Sequence, residues 1–320
     1  MNCIKIFLLL CVSSCFGQQI VISSVDAGGA TTFANNVRLV YSIGENTNRE
    51  VSNGFHISEG FISARFKITL NPIVFLQGSL VNPETPGLMN DALRFNNYIP
   101  TTSPYPDNAT VNASVFSVTG NNAIVDWVWV ELRQENDNTN IIAATSALLQ
   151  RDGDIVALDG SSALQLNAPP GNHYVVIKHR NHLGVMSSNP IALSRNATTI
   201  VNFTDSGFST FGTNAQIQLP STATALWAGN VNGDTVVQYS GTNPDLPNIL
   251  AAVLNDSGNF LNFPTYTING YNIHDVNMDG KTQYTGTEPD SPLILQNVLT
   301  HPGNFLNFST YQIQEQLPEN

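Results

Sequence analysis

The strongest constraint on how this chain can fold is a duplication near its C-terminus. Asn230 to Ile268 aligns without a gap on Asp275 to Ile313, with 23 identities in 39 positions. Identity at that density means that one structural unit has been copied, and a unit this short closes its core only against its twin. Each copy runs from an acidic, asparagine-studded stretch ("NVNGDTVVQYSGTNPD", "DVNMDGKTQYTGTEPD") into an apolar helical run ("LPNILAAVL", "SPLILQNVL"). It then passes through "GNFLNFPTY" or "GNFLNFSTY".

With Asp275 as position one, Asn277 and Asp279 occupy three and five, Gly280 six and Lys281 seven. Asn230, Asn232, Asp234 and Val236 hold positions one, three, five and seven in the first copy. Side-chain oxygens at one, three and five, a glycine for the turn and a backbone carbonyl at seven make the first half of an EF-hand calcium loop, because alternate residues of a curved segment point to one concave side. Position twelve is Gly241 or Gly286 rather than the closing Glu, and the next shared carboxylates are Asp245 and Asp290, four residues on. The spacing predicts an enlarged loop closed by those aspartates, holding one Ca2+ per copy. The alternatives are helix N-capping for Asp245 and Asp290 and a metal-free turn for the rest. The second loop has three carboxylates and Gly280, the first two carboxylates and Thr235, so the second is expected to bind calcium more tightly.

Charge supports this reading. From Ser221 to Asn320 there are nine Asp or Glu residues against the single Lys281, while the whole chain is only 11% charged with a net charge of -12. Such a chain is unsuited to nucleic acid. "DVNMDG" and "NVNGD", each leading into a short helix in a tandem pair, resemble the calcium loops of dockerin type I modules. The resemblance implies a calcium-clasped fold over the last hundred residues and a cohesin-type receptor as one partner class. The sequence departs from dockerins where that partner would bind: the loops are longer, and Tyr239-Ser240 and Tyr284-Thr285 stand in the region where dockerins present their recognition pair, so the calcium fold carries over more safely than the cohesin partner. Further upstream, "VFSVTGNNAIVDWVWVELR", "ALLQRDGDIVALDG" and "HYVVIKHRNHLGVMS" resemble secreted haemagglutinin-like proteins of Bacteroidetes. "VYSIGE" and "SEGF" are similar to their N-terminal module. This implies adhesion.

The opening "MNCIKIFLLLCVSSCFGQQ" reads as a signal peptide, residues 1–17, whose apolar run is far short of the roughly 20 residues that span a bilayer. All three cysteines lie in it, so cleavage leaves a cysteine-free exported chain; lipidation at Cys15 is the alternative. The expected fold is mainly β. A small β unit at 18–70, carrying the alternating strand "VRLVYSIGE", precedes an antiparallel β-sandwich at 71–205, with turns at "RDGD" and "PPGN". A linker follows at 206–224, then the dockerin-like tandem repeats at 225–320.

Two further features bear on function. Trp127 and Trp129 share one strand face and could stack on sugar rings unless the proline-rich stretch 83–107 covers them. His179 and His182 in "HRNH" are three apart, which on one strand places the rings on opposite faces and speaks against a metal site. No nucleophile and base stand together, so the chain is expected to be an extracellular calcium-binding interaction protein and not an enzyme. Its partner is a surface protein or a glycan, with adhesin or lectin activity through the sandwich, or an accessory place in a polysaccharide-degrading assembly, as alternatives.

Overall fold

The computed structural model describes residues 28–34, 37–43, 49–52, 56–59, 67–195 and 197–318. The expected signal peptide and all three cysteines lie outside them. The chain divides into two compact units, Met1–Arg65 and Phe66–Asn320. In the first, β1 (Gly28–Ala34) pairs antiparallel with β2 (Val37–Ile43), and β3 (Arg49–Ser52) with β4 (His56–Glu59).

The second unit is mainly β. It begins with β5 (Lys67–Ile73) and a one-turn helix α1 (Ala92–Phe95). The long strands β6 (Ile124–Gln134) and β7 (Asp137–Gln150) follow, then β8 (Ile155–Val156), β9 (Leu164–Asn167), β10 (Gly171–His179), β11 (His182–Met186), β12 (Ile191–Leu193) and β13 (Thr198–Asn202). An antiparallel sheet runs in the order β11-β10-β6-β7-β8, with β12 on β10. A second sheet runs β13-β5-β9, and its β13–β5 pair is parallel. One hydrophobic cluster draws on both, with Ile68, Leu70, Leu164, Leu166 and Val201 from the smaller sheet meeting Trp127, Val128, Val130 and Leu148 from the larger. β6 is buried on both faces, so hydrophobic alternation is a poor guide to it.

Residues 206–224, expected as a linker, are built into this unit. β14 (Gln216–Gln218) pairs with β15 (Thr224–Leu226), Ala215 is buried, and Leu226 bonds through its backbone to Phe75 and Gln77. The repeats therefore continue directly from the sheets. In each copy the acidic loop leads into a short strand and then a helix: β16 (Val236–Gln238) and α2 (Leu246–Asn255), then, after β17 (Thr267–Asn269), β18 (Lys281–Gln283) and α3 (Ser291–Thr300). The final strand is β19 (Gln312–Gln314).

Pairing crosses between the copies, β16 with β19 and β17 with β18. Both copies also fill one core, in which Val231, Val237 and Ile249 meet Val276, Ile294, Val298 and Ile313, joined by Trp227 and by Leu183 of β11. Fully burying side chains such as Ile249 or Ile294 stabilises by about 1.5–3 kcal/mol each, and neither copy can do so alone. No helix among the described residues is long and apolar enough to cross a membrane.

Candidate metal centre

The closing aspartates organise the loops. Asp290 reaches back across its loop, where one carboxylate oxygen accepts from the backbone N–H of Val276 (2.6 Å) and Asn277 (3.2 Å) and the other from Gln283 (2.8 Å). Asp245 does the same with Val231 (2.8 Å), Asn232 (3.3 Å) and Gln238 (2.8 Å). Neither side chain caps its helix, although proline follows early in both, so N-capping is not their role. Three of about four lone-pair positions are occupied in each carboxylate. Asp245 and Asp290 are thus braces first, with one direction left for a cation.

Inside the second loop, Asp275 accepts from the N–H groups of Asp279 (3.1 Å) and Gly280 (2.9 Å), and Asn277 Oδ1 from Asp279 (3.0 Å). Asp279 Oδ1 accepts from Lys281 N–H (2.8 Å), while its Oδ2 is buried without a hydrogen-bond partner. Lys281 turns its side chain to Glu288 (3.3 Å) and stands at a long 4.0 Å from Asp279 Oδ2, an ion pair without a hydrogen bond. In the first loop Asn230, 8% exposed, leaves its Oδ1 buried and unpartnered while its amide donates to the carbonyl of Asp234. Asp234 accepts from the amides of Asn232 (2.9 Å) and Asn243 (2.5 Å) and from Val236 N–H (2.7 Å). Position seven, Val236 or Lys281, opens a strand in both copies.

The loops differ where the sequence differs. Position four is left-handed in both, Gly233 at φ 76° and Met278 at φ 57°, but only the second copy is left-handed at position six, with Gly280 at φ 87°. Gly280 also lies against Tyr98, whose ring carbons would stand 3.0 Å from any Cβ there. The stretch around α1 therefore braces the second loop.

The loop carboxylates are held protonated more readily than free ones, chiefly by burial, with Arg180 and Lys281 offsetting part of the effect. Burial raises the carboxyl pKa of Asp275, with Asp279 adding to the rise and Arg180 opposing it. Burial and the charge of Asp275 raise Asp290. Burial lifts Asp245 to about 7 and also raises Asp279. No group of three or more His, Cys, Asp or Glu side chains poised for a metal occurs among the described residues; the oxygens available here come from asparagines and carbonyls as well as carboxylates. That donor set is hard and oxygen-only, which fits Ca2+ and not zinc.

A buried polar network positions the second loop, and the sequence reading missed it. His179 and His182 are cross-strand partners across the two-residue turn Arg180-Asn181, so their rings meet at 2.9 Å between Nδ1 atoms. The three-residue offset crosses a hairpin, and the expectation of opposite faces fails for that reason. Gly78 N–H donates to His182 Nε2 (3.1 Å), which puts the proton of this neutral ring on Nδ1, facing His179 Nδ1. His179 in turn donates from Nε2 to Asp126 (3.1 Å). Burial lowers both histidine pKa values. Asp126 is raised by burial, but Arg180 and His179 outweigh this and bring it down to about 2. Fully buried, the Asp126–His179 pair is out of reach of a substrate. Its work is to aim the turn: Arg180 stacks on Tyr271 (4.4 Å) and donates to the carbonyl of Asn272, while Asn181 donates to Ile273 (3.1 Å) and Asp275 (2.6 Å). The one available signal was the turn-forming Asn181 between two apolar strands.

Trp127 is fully buried, and its indole donates to the carbonyl of Pro100 (2.9 Å). It cannot meet a glycan; the proline-rich stretch covers it. Trp129 is half-buried against Tyr105, with ring centroids 5.7 Å apart. Comparison with family models, curated proteins and solved structures returns no match.

Proposed function

We propose that this chain is an exported calcium-binding interaction protein, in which a sandwich of the two main sheets carries a dockerin-like repeat with one Ca2+ in each loop. The observation that carries the reading is the pair of orphaned oxygens. Asn230 Oδ1 in one copy and Asp279 Oδ2 in the other are buried inside the acidic loops with no hydrogen-bond partner, an arrangement that costs stability until a cation meets them. Asn230, Asn232, Asp234 and the Val236 carbonyl would hold the first ion, and Asp275, Asn277, Asp279 and the Lys281 carbonyl the second. Asp245 and Asp290 shape each loop and add at most one contact. The bound ion supplies fixed positive charge to a cluster whose one lysine, Lys281, is closer to Glu288 (3.3 Å) than to Asp279 (4.0 Å). A folded, calcium-tightened repeat then presents a surface to an extracellular protein or glycan.

Thermal unfolding of the whole chain tests this. Calcium at a hundredfold excess over its Kd stabilises by about 2.7 kcal/mol, which raises the midpoint by several degrees relative to chelator. Magnesium, which demands a smaller octahedral site, should do less. Identical midpoints in millimolar calcium and in chelator would remove the proposal.

A further inference from the structure

Beside the first loop lies an open groove of about 940 Å3. Its walls include Gln238 and Thr242 from the end of that loop, Gln312 and Gln314 from β19, and the rings of His301 and Tyr311. None of its lining residues is Asp, Glu, Lys or Arg, and none is aliphatic. In a chain of net charge -12, whose last hundred residues carry nine acidic side chains against one lysine, that is a distinct chemical surface. The groove also breaks the symmetry of the duplication, since Thr213, Asn214 and Gln316, from outside the repeated segments, form part of its wall.

Two of the lining amides are presented, not used up, while Gln238 and Gln316 are held by hydrogen bonds. Ile313 points into the core, so Gln312 and Gln314 share the exposed face of β19, roughly 7 Å apart as alternate strand residues must be. Neither side-chain amide has a hydrogen-bond partner among the described residues. Gln238, opposite Gln312 in the strand register, is by contrast fixed, donating to the Thr310 carbonyl (2.9 Å) and accepting from Asn243 N–H (3.1 Å). At one end the buried His301 lies between Trp227 (5.1 Å) and Tyr311 (5.2 Å), so the half-buried Tyr311 is the ring that the groove offers. Burial lowers the pKa of His301, so the ring is neutral at physiological pH.

We infer that this groove binds a neutral oligosaccharide. Amides and hydroxyls that both donate and accept match sugar hydroxyls, and an aromatic end suits the apolar face of a pyranose. A charged glycan would give up hydration with no ion to meet it. A peptide would find no apolar pocket for an anchoring side chain. The site narrows the partner proposed above to a glycan and rests on the calcium reading only because Gln238 to Thr242 end the first loop.

Affinity electrophoresis of the whole protein through gels containing laminarin, soluble starch, galactomannan or xyloglucan, with alginate and heparin as charged controls, tests the proposal. Retardation is expected in at least one neutral gel and in neither charged one. The double variant Gln312→Ala, Gln314→Ala alters only exposed side chains and should keep the wild-type unfolding midpoint while weakening retardation about tenfold or more, as the loss of two hydrogen-bonding groups implies. Retardation equal in calcium and chelator would uphold the groove and count against its coupling to the first loop. No retardation in any neutral gel, no loss in the double variant, or capture of a random hexapeptide mixture in place of the glycans would overturn the proposal.

Discussion

Within each loop the aspartates do two different jobs, and substitution should separate them. Asp290→Ala strands three backbone N–H donors, at about 1–3 kcal/mol for each that stays buried, so it should lower stability in chelator by roughly 3 kcal/mol or more. Asp279→Ala removes an unpartnered buried oxygen beside Asp275 together with the acceptor of the exposed Lys281 N–H, so in chelator it should cost no more than about 1 kcal/mol while abolishing the calcium response of the second loop. Chemical denaturation of both variants with and without calcium reads the difference.

The pH dependence follows with a definite sign. Asp245 has a folded pKa raised to about 7 from 3.8, so its favourable contribution is present below about 3.8 and lost as pH rises through about 7. Asp275, Asp279 and Asp290 shift in the same direction. The buried histidines act oppositely, since their depressed pKa values make stability fall as pH drops below about 6.5. They contribute with and without calcium, so the calcium-induced rise in unfolding midpoint isolates the carboxylates. It should grow from pH 5 to pH 8; a rise that shrank over this range would refute the carboxylate account.

At the scale of the element, the repeated "GNFLNF" shows how a rigid support differs from what it displays. Asn304 is buried and bonds to the Val298 carbonyl (2.7 Å), the Phe308 carbonyl (2.9 Å) and the Phe308 N–H (2.9 Å), and Asn259 makes the matching set in the first copy. On these frames Phe260 and Phe305 stand 82% and 84% exposed. Equilibrium unfolding should therefore show Phe305→Ser within about 0.5 kcal/mol of wild type and Asn304→Ala lower by about 2 kcal/mol or more.

Much of the repeat was legible at this level. Both helices, the acidic loops and the difference at position six follow from spacing, proline and glycine. The crossing of β16 to β19 and β17 to β18 was not, because three-residue strands carry no periodicity. The cover over Trp127 by the proline-rich stretch is the reading that the sequence favours and is what the structure shows, although the pattern of β6 alone, covered on both faces, reads equally well as half-exposed.

For the molecule as a whole, the decisive fact is that the repeats and the sheets form one unit. Gln77 and Asn297, 220 residues apart, exchange amide hydrogen bonds of 2.6 and 2.8 Å in a buried position, and the 180–181 turn holds the backbone leading into Asp275. Long-range side-chain pairs of this kind are invisible in a sequence whose polar residues look like turn formers. They also change how the loops must be studied, because cutting the chain within 206–224 would uncover Trp227 and Leu226. Residues 66–320 should unfold in a single calorimetric transition, and a separate low-temperature transition for the repeats would show that they are independent.

The most direct test of the central claim is a calorimetric calcium titration of the intact protein beside its Asp275→Ala, Asp279→Ala variant. The account predicts two binding events in the wild type and loss of the tighter one in the variant. Absence of heat at millimolar calcium, or a variant that titrates like the wild type, would contradict it.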